Sequence, residues 1–319
     1  MGRRHVYSSR TVLRRILHRP SSAIGAAVLA VLFLCALWPV SWLPHDPFSG
    51  DSAKRFMPPF FMEGGSLSYP LGTESLGRDV LSMLIAGSRY TLGIVVTAGL
   101  IGLIIGVTAG LVAGYFGGWL DAVIMRIADV QLAFPALVLI IAIVAAFGPS
   151  LFNLVLILGI VGWAPYARLV RGSVLSLKEQ GFVEAARATG TGTSRILLRH
   201  LLPNSLTNIL VFLTLQLAEL VVLEASLSFL GLGVQPPAPS WGAMIADARQ
   251  YLTQAWWASA LPGVVIVLCV LSFNFIGDEL RDAMDPTMRR RSARGDAGGD
   301  GVPMPAPTRG TVVGGAADA

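Results

Sequence analysis

Charged side chains are scarce in this sequence of 319 residues. Asp, Glu, Lys and Arg together make up 13% of the chain, whereas a soluble globular domain carries about a quarter. Hydrophobic residues make up 54%, which also excludes a disordered chain, because such chains have too few apolar side chains to form a core. The composition therefore predicts a membrane protein.

Cysteine is nearly absent as well, with only 2 residues in the chain. Cys35 and Cys269 each lie in an apolar run, which excludes a disulfide framework and a multi-cysteine zinc or iron–sulfur site. The sequence also lacks the Gly-x-x-x-x-Gly-Lys-Ser/Thr phosphate loop and the His-Glu-x-x-His zinc helix. The 4 histidines show no metal-ligand spacing: His5, His18, His45 and His200. We therefore expect no catalytic residues, no metal site and no cofactor bound by this chain.

Long apolar runs recur along the chain. A helix needs about 20 apolar residues to cross the hydrocarbon core, and a helix satisfies its own backbone polar groups there. Runs of roughly this length predict an all-α membrane protein with six transmembrane helices, at Ser22–Leu43, Tyr90–Tyr115, Ile127–Phe147, Leu151–Val170, Leu206–Leu230 and Ser259–Ile276. Kinks are predicted at Pro135, Pro165 and Pro262, because proline removes a backbone donor.

The first apolar run has a second interpretation, because arginines precede it as they precede the core of a signal peptide. Its length, and Trp38 and Trp42 near its end, favour a retained membrane helix. Residues 1–60 would then be an N-terminal segment with this helix, and residues 61–89 an extracytoplasmic segment leading to the second. Residues 289–319 are rich in Gly, Ala, Pro and Asp, which predicts a disordered cytoplasmic tail.

Positive charge is concentrated on one side of the predicted spans. Cytoplasmic loops of membrane proteins carry an excess of Lys and Arg, and an inward N-terminus assigns most of the arginines to that side. These are the six N-terminal arginines, Arg126, the group from Arg168 to Arg199, and Arg281, Arg289, Arg290, Arg291, Arg294 and Arg309. We therefore expect both termini in the cytoplasm. Nucleic-acid binding is not expected, because no soluble basic domain is present to carry it.

The second predicted span carries a row of glycines at every fourth position: Gly102, Gly106, Gly110 and Gly114. Residues four apart share one helix face, and a row of small residues lets another helix approach closely. The row therefore predicts a helix-packing face. We favour a partner helix of the same chain, and a partner subunit is the alternative.

Two glutamates lie inside the fifth predicted span, Glu219 and Glu224. Ionisable groups are costly in lipid and normally face a protein interior or a wet cavity. Five residues place them about 140° apart around a helix, so one pocket would not easily hold both. Contact with a solute is one interpretation, and hydrogen bonding to neighbouring helices is the other.

The longest predicted cytoplasmic segment between spans covers residues 171–203. Its first part has apolar residues between charged positions, at Val174, Leu177, Phe182, Ala185 and Ala186, which predicts a short amphipathic helix. A second short helix is predicted at Ser194–Leu202, with its first residue as N-cap. Gly190 lies between the two and would permit a sharp turn.

The order of residues in this segment resembles a known motif. Glu184-Ala185-Ala186, three residues, Gly190, nine residues and His200-Leu201-Leu202-Pro203 resemble the EAA motif of ABC-importer permeases. In that family the loop docks into a cleft on the ATP-binding subunit. The resemblance implies a coupling loop at 171–203 that acts through Glu184, Ala185, Ala186, Gly190, Leu202 and Pro203. His200 stands where the family usually has an apolar residue, which affects contact details rather than docking.

Three further stretches resemble the C-type permease of dipeptide and oligopeptide importers: Tyr69–Ser82, Glu224–Gly242 and Phe273–Pro286. The similarity covers most of residues 10–288. It implies a type I ABC importer permease fold, with the permease domain at 90–280, in the bacterial cytoplasmic membrane. Possible residues of the translocation pathway are Glu219, Glu224 and Asn274.

The resemblance also implies partners and a mechanism. The chain would pair with a B-type permease, two ATP-binding subunits that hold ATP and Mg, and an extracytoplasmic solute-binding protein. Transport would proceed by alternating access, driven by closure of the ATPases. Dipeptides or oligopeptides are the expected substrates, but nickel, glutathione and related importers share this permease type.

Two other classes of membrane protein remain as alternatives. A channel-like protein without energy coupling has no need of a docking loop, so the motif argues against it. An intramembrane enzyme would need a facing pair of polar catalytic groups, and the sequence offers no convincing pair.

Overall fold

The computed structural model describes residues 19–284. The predictions for the first N-terminal arginines and for the tail at 289–319 lie outside the described residues. Within the described part, all regular secondary structure is helical, and the one β contact is an isolated bridge between Thr73 and Asp79. The prediction of an all-α protein is confirmed.

Eleven helices are described between residues 19 and 284, and they are numbered here in chain order. They are α1 (Pro20–Leu37), α2 (Val80–Phe116), α3 (Gly118–Leu132), α4 (Ala136–Phe147), α5 (Leu151–Val161), α6 (Trp163–Leu177), α7 (Gly181–Ala188), α8 (Thr193–Ile196), α9 (Leu202–Phe229), α10 (Trp241–Ala248) and α11 (Trp256–Met284). A π turn at Leu197–Leu201 joins α8 to α9. Short 3₁₀ turns lie at Val40–Trp42, Ser52–Lys54 and Arg249–Tyr251.

Within residues 19–284, five helical stretches are long and apolar enough to cross a membrane. They are α1, α2, α5 with α6, α8 with α9, and α11. The pair α3 and α4 bends by 90° at its break and makes a sixth if it is counted as one span. The count therefore agrees with six predicted helices only when this bent pair is included.

The predicted spans differ in their bounds from the structure, and for two of them the local cause is clear. Helix α2 begins at Val80 rather than near Tyr90, because the Asp79 carboxylate accepts from the Ser82 amide at 3.0 Å and caps the helix there. The third span is not one helix, because α3 ends before Pro135, which is the N-cap residue of α4. Proline cannot donate the backbone hydrogen bond that would continue the helix.

Helix α2 lies at the centre of the fold and packs against α1, α3, α5, α6 and α9. Its glycine row faces α5 and α6. A Cβ atom at Gly106 would lie 2.4 Å from the Trp163 carbonyl oxygen, and one at Gly110 would lie 2.6 Å from that of Ala167. The corresponding nearest distances are 3.1 Å at Gly102 and 2.8 Å at Gly114. The row thus brings two helices of the same chain into backbone contact, as small residues do in lipid.

The N-terminal end of α2 is held by polar contacts with the segment between α1 and α2, residues 38–79. The indole nitrogen of Trp257 in α11 donates to the Thr73 carbonyl at 3.2 Å. Trp241 is fully buried, and its indole nitrogen donates to the Leu84 carbonyl of α2 at 3.2 Å. The first bond joins α11 to residues 38–79, the second joins α10 to α2, and the His45 amide joins the segment to α2 by donating to the Ser82 hydroxyl at 3.2 Å.

Candidate functional sites

Helix α7 ends in a turn that depends on Gly190. The Thr191 amide donates to the Ala186 carbonyl at 3.0 Å, and the Gly190 amide donates to the Arg187 carbonyl at 2.9 Å. This pair of bonds is the Schellman helix end, which needs a left-handed residue, and Gly190 has φ +74°. A Cβ atom there would meet nothing within 4 Å. The turn therefore needs glycine for its backbone conformation rather than for space.

The two faces of α7 have different surroundings. Val183 and Ala186 are buried, whereas Glu184 and Ala185 are exposed. The buried face belongs to an apolar cluster with Ile196 and Leu201 of the following turn, Leu111 of α2, Val170 and Val174 of α6, and Ile209 of α9. Helix α7 is thus fixed to the ends of three membrane helices by a face that includes the motif residue Ala186, while Glu184 and Ala185 point away from them.

The second short helix of this loop begins one residue before its predicted start. The Gly192 carbonyl accepts from the amides of Arg195 and Ile196 at 3.0 and 3.1 Å, so α8 begins at Thr193. The prediction of Ser194 as N-cap is wrong, because Gly192 occupies that position and gives no side-chain cap.

The loop continues without a gap into a membrane helix. Residues Thr193–Phe229 form one helical stretch through the π turn. Leu202 is half-buried, and Pro203 is exposed and directly follows the π turn. A displacement of α8 is therefore carried directly into α9.

Basic side chains tie the same loop to α2 and α3. Lys178 donates to the Gly114 carbonyl at 3.2 Å, and the Arg187 guanidinium lies 5.0 Å from the Tyr115 ring centre. Arg171 makes a two-pronged ion pair with Asp121, with Nη2 and Oδ2 2.6 Å apart. Such forked pairs fix direction as well as distance.

The two glutamates of α9 have opposite environments. Glu224 is fully buried and accepts from the Ser228 hydroxyl at 2.7 Å, and the hydroxyls of Thr91 and Ser240 face the same carboxyl group. Glu219 is exposed, and its Oε2 accepts from the Gln216 amide at 2.9 Å. One pocket does not hold both carboxylates.

Asn274, the third residue suggested for the pathway, is half-buried in α11. Among residues 19–284, no group of three or more His, Cys, Asp or Glu side chains is arranged to hold a metal ion.

Sequence reasoning missed a charged cleft near the N-terminal end of α2. The cleft measures about 700 Å³ and is lined by Arg78, Asp247 and Tyr251 among others. Arg78 is buried, and its Nε lies 3.1 Å from Glu74 Oε1. Burial alone would raise the pKa of Glu74, but the Arg78 charge and the hydrogen bonds to the carboxylate outweigh it and hold that pKa below its usual value. In the sequence, the signal for this ion pair was an acidic and a basic residue four positions apart, Glu74 and Arg78.

Known proteins resemble this chain in both sequence and fold. A family profile described as "Binding-protein-dependent transport system inner membrane component" matches residues 102–290. The chain is 41% identical over 272 residues to the di/tripeptide transport system permease protein DppC of Pseudomonas aeruginosa, covering 85% of this chain and 90% of that one. It is 40% identical over 276 residues to the glutathione transport system permease protein GsiD of Pectobacterium atrosepticum, covering 86% and 90%.

The fold is also found among solved structures. The inward facing MetNI methionine ABC transporter matches with a TM-score of 0.53 and 24% identity, over 64% of this chain and 98% of that one. At this identity the match speaks for the fold alone, which is that of type I ABC importer permeases, and the resemblance seen in the sequence is confirmed. The chain belongs to the family of binding-protein-dependent transport system inner membrane components, the membrane-spanning permease subunits of ABC transporters.

Proposed function

We propose that this chain is a permease subunit of an ATP-driven importer that moves dipeptides or oligopeptides across the bacterial cytoplasmic membrane by alternating access. Its partners are a B-type permease, two ATP-binding subunits that hold ATP and Mg, and an extracytoplasmic solute-binding protein. The 41% identical relative named as a di/tripeptide permease supports the substrate class.

The observation that carries this proposal is the two-faced environment of α7. Its apolar face is packed against α2, α6 and α9, and its other face exposes Glu184 and Ala185. A partner that pushes on the exposed face would move the ends of three membrane helices, because close-packed interiors transmit strain. In this proposal α7 docks into the ATP-binding subunit, and Gly190 holds the docked shape.

The orientation follows from the same assignment. Docking to an ATPase requires the loop at 171–203 to lie in the cytoplasm, and this loop carries 5 of the 24 Lys and Arg residues of the chain. Both termini then lie in the cytoplasm if α3 and α4 together cross the membrane once.

Glutathione is a second candidate substrate. A relative named as a glutathione transport permease is 40% identical over 86% of this chain, nearly the same level as the di/tripeptide permease. Glutathione is itself a tripeptide, so one pathway could accept either solute. Uptake of labelled dialanine and of labelled glutathione by the complete transporter in proteoliposomes distinguishes the two.

The docking assignment is tested by reversing charge at two positions of the same loop. Glu184→Lys should abolish uptake and weaken co-purification of the ATP-binding subunit, because Glu184 lies on the exposed face of α7. Glu179→Lys, also at an exposed residue but before α7 begins, should have a much smaller effect. Normal uptake with intact ATPase binding in Glu184→Lys would overturn the assignment.

The turn is tested with a matched pair of glycines. A Cβ atom at Gly190 or at Gly172 would meet nothing within 4 Å, but only Gly190 has a positive φ. Gly190→Val should therefore strain the backbone by about 1–2 kcal/mol and abolish uptake while the protein still reaches the membrane. Gly172→Val should retain uptake, and equal losses in both variants would contradict a role for the turn.

A further inference from the structure

Helix α9 leaves one continuous face uncovered by the rest of the chain. Its exposed residues include Asn204, Asn208, Leu215, Glu219, Val222 and Phe229. They are spaced by three, four or seven residues, so they form a single stripe along the helix. A stripe with polar members is poorly suited to lipid.

Glu219 places a carboxylate deep in this stripe. At 1.5 Å per residue it lies about 15 Å from Phe229, the last residue of α9, and about 26 Å from Leu202, the first, so it is well inside the apolar helix. Gln216 donates to its Oε2 at 2.9 Å, and the side chain is otherwise open on the exposed face. A carboxylate at this depth requires a wet cavity or a cationic partner.

A second polar group lies buried in α6, which packs against α9. Tyr166 is fully buried, and its hydroxyl has no hydrogen-bond partner within residues 19–284. It is close enough to Glu219 for the two groups to interact electrostatically. Its ring packs edge-on against Phe212 with centroids 5.0 Å apart, and its Cβ is the atom that a side chain at Gly106 would strike at 2.5 Å. The packing therefore fixes the position of the hydroxyl, although the hydroxyl makes no hydrogen bond within residues 19–284.

We propose that Glu219 binds the α-ammonium group of the solute as it crosses the membrane, with Gln216 orienting the carboxylate and the Tyr166 hydroxyl buried behind it. An ammonium group donates hydrogen bonds, and an exposed carboxylate accepts them with the added attraction of opposite charges. Peptides and glutathione share this group, so the site would serve both candidate substrates. Glu224 does not take this role, because it is buried and bonded to Ser228. This inference rests on the proposed import function.

The inference is tested by a double-mutant cycle between protein and solute. Uptake of dialanine and of N-acetyl-dialanine is measured in proteoliposomes for the complete wild-type transporter and for the Glu219→Gln variant. The variant should slow dialanine uptake about tenfold, which corresponds to losing one charge-assisted hydrogen bond. It should slow uptake of the acetylated compound less than about twofold, because that compound has no charge for Glu219 to bind. The cycle cancels any preference of the binding protein.

Three further variants separate a binding role from a structural one. Glu219→Asp should recover part of the lost uptake, Tyr166→Phe should cause a smaller loss than Glu219→Gln, and the exposed Glu63→Gln should cause none. Unchanged dialanine uptake in Glu219→Gln, or an equal loss for both compounds, would overturn the inference. Loss of co-purification with the partner permease would also overturn it, since Glu219 would then pair with a basic side chain of that subunit. If the wild type takes up neither dialanine nor glutathione, the proposed function itself fails, and the inference fails with it.

Discussion

The two ends of α2 are attached to their neighbouring segments by different forces. At its C-terminal end, the loop with α7 and α8 is held by an apolar cluster that includes Val183 and Leu201. At its N-terminal end, residues 38–79 are joined to α2 by hydrogen bonds such as that from the His45 amide to the Ser82 hydroxyl at 3.2 Å, and the segment itself contains the Arg78–Glu74 ion pair. Apolar contact is non-directional, whereas hydrogen bonds and ion pairs require one geometry. We therefore expect the two attachments to respond differently to mutation and to pH.

The largest effect is expected from breaking the apolar attachment. Leu201 is 0% exposed, so Leu201→Ala should lower the free energy of unfolding by about 3 kcal/mol through lost burial and a cavity. Leu198, three residues earlier, is 63% exposed, and Leu198→Ala should change stability by less than about 0.5 kcal/mol. The Tm values of the purified complexes check both variants. Equal shifts would mean that the cluster does not fix the loop.

A comparable effect is expected at the polar end. Arg78→Met would leave the Glu74 carboxylate buried without its cation, which costs about 3 kcal/mol at a buried pair. Lys54→Met removes one member of an ion pair whose side chains are about half exposed, and it should cost less than about 1 kcal/mol. Added salt should have little effect on the Tm of the Leu201→Ala variant or of the wild type. If Arg78→Met left the free energy of unfolding unchanged, the contrast between the two ends would disappear.

The smallest effect is expected from acid. The pKa of Glu74 is lower in the folded protein than its usual value near 4.5, so its stabilising contribution is present above that pH and is lost as the pH falls through the lowered pKa. Amides that donate to this carboxylate, those of Leu76 and Arg78, should lose protection from hydrogen exchange below pH 4.5. Amides in α7 should keep theirs over the same range after correction for intrinsic rates. A simultaneous loss at both ends would contradict the comparison.

The membrane helices were largely predictable because they depend on run length and composition alone. Hydropathy did not reveal that α3 and α4 meet at 90°, because a window average has no direction in space. It also missed the start of α2 at Val80, where a single cap by Asp79 begins the helix before the apolar run is established. Local hydrogen bonds of this kind set boundaries that composition does not contain.

The candidate sites were predictable to different degrees. Gly190 was identified from its place in a motif, and its positive φ explains why glycine is required at this position. Tyr166 was missed, because a tyrosine in an apolar span gives no sequence signal until the packing of α6 against the glycines of α2 is known. Glu219 and Glu224 looked alike in sequence, and only the fold separates a buried carboxylate from an exposed one.

The π turn between α8 and α9 affects the directions in which the side chains of the two helices point around the helix axis. A π turn accommodates one more residue than the α-helical ladder would, and each residue of an α-helix corresponds to about 100° of rotation. The side chains of α8 are therefore rotated about the helix axis relative to those of α9. The five residues Leu197–Leu201 set the angle of this rotation. If this turn tightened to ordinary α-helix under load, a push on the loop would become a rotation of α9. The exposed stripe that includes Glu219 would then turn about the helix axis without the helix having to tilt.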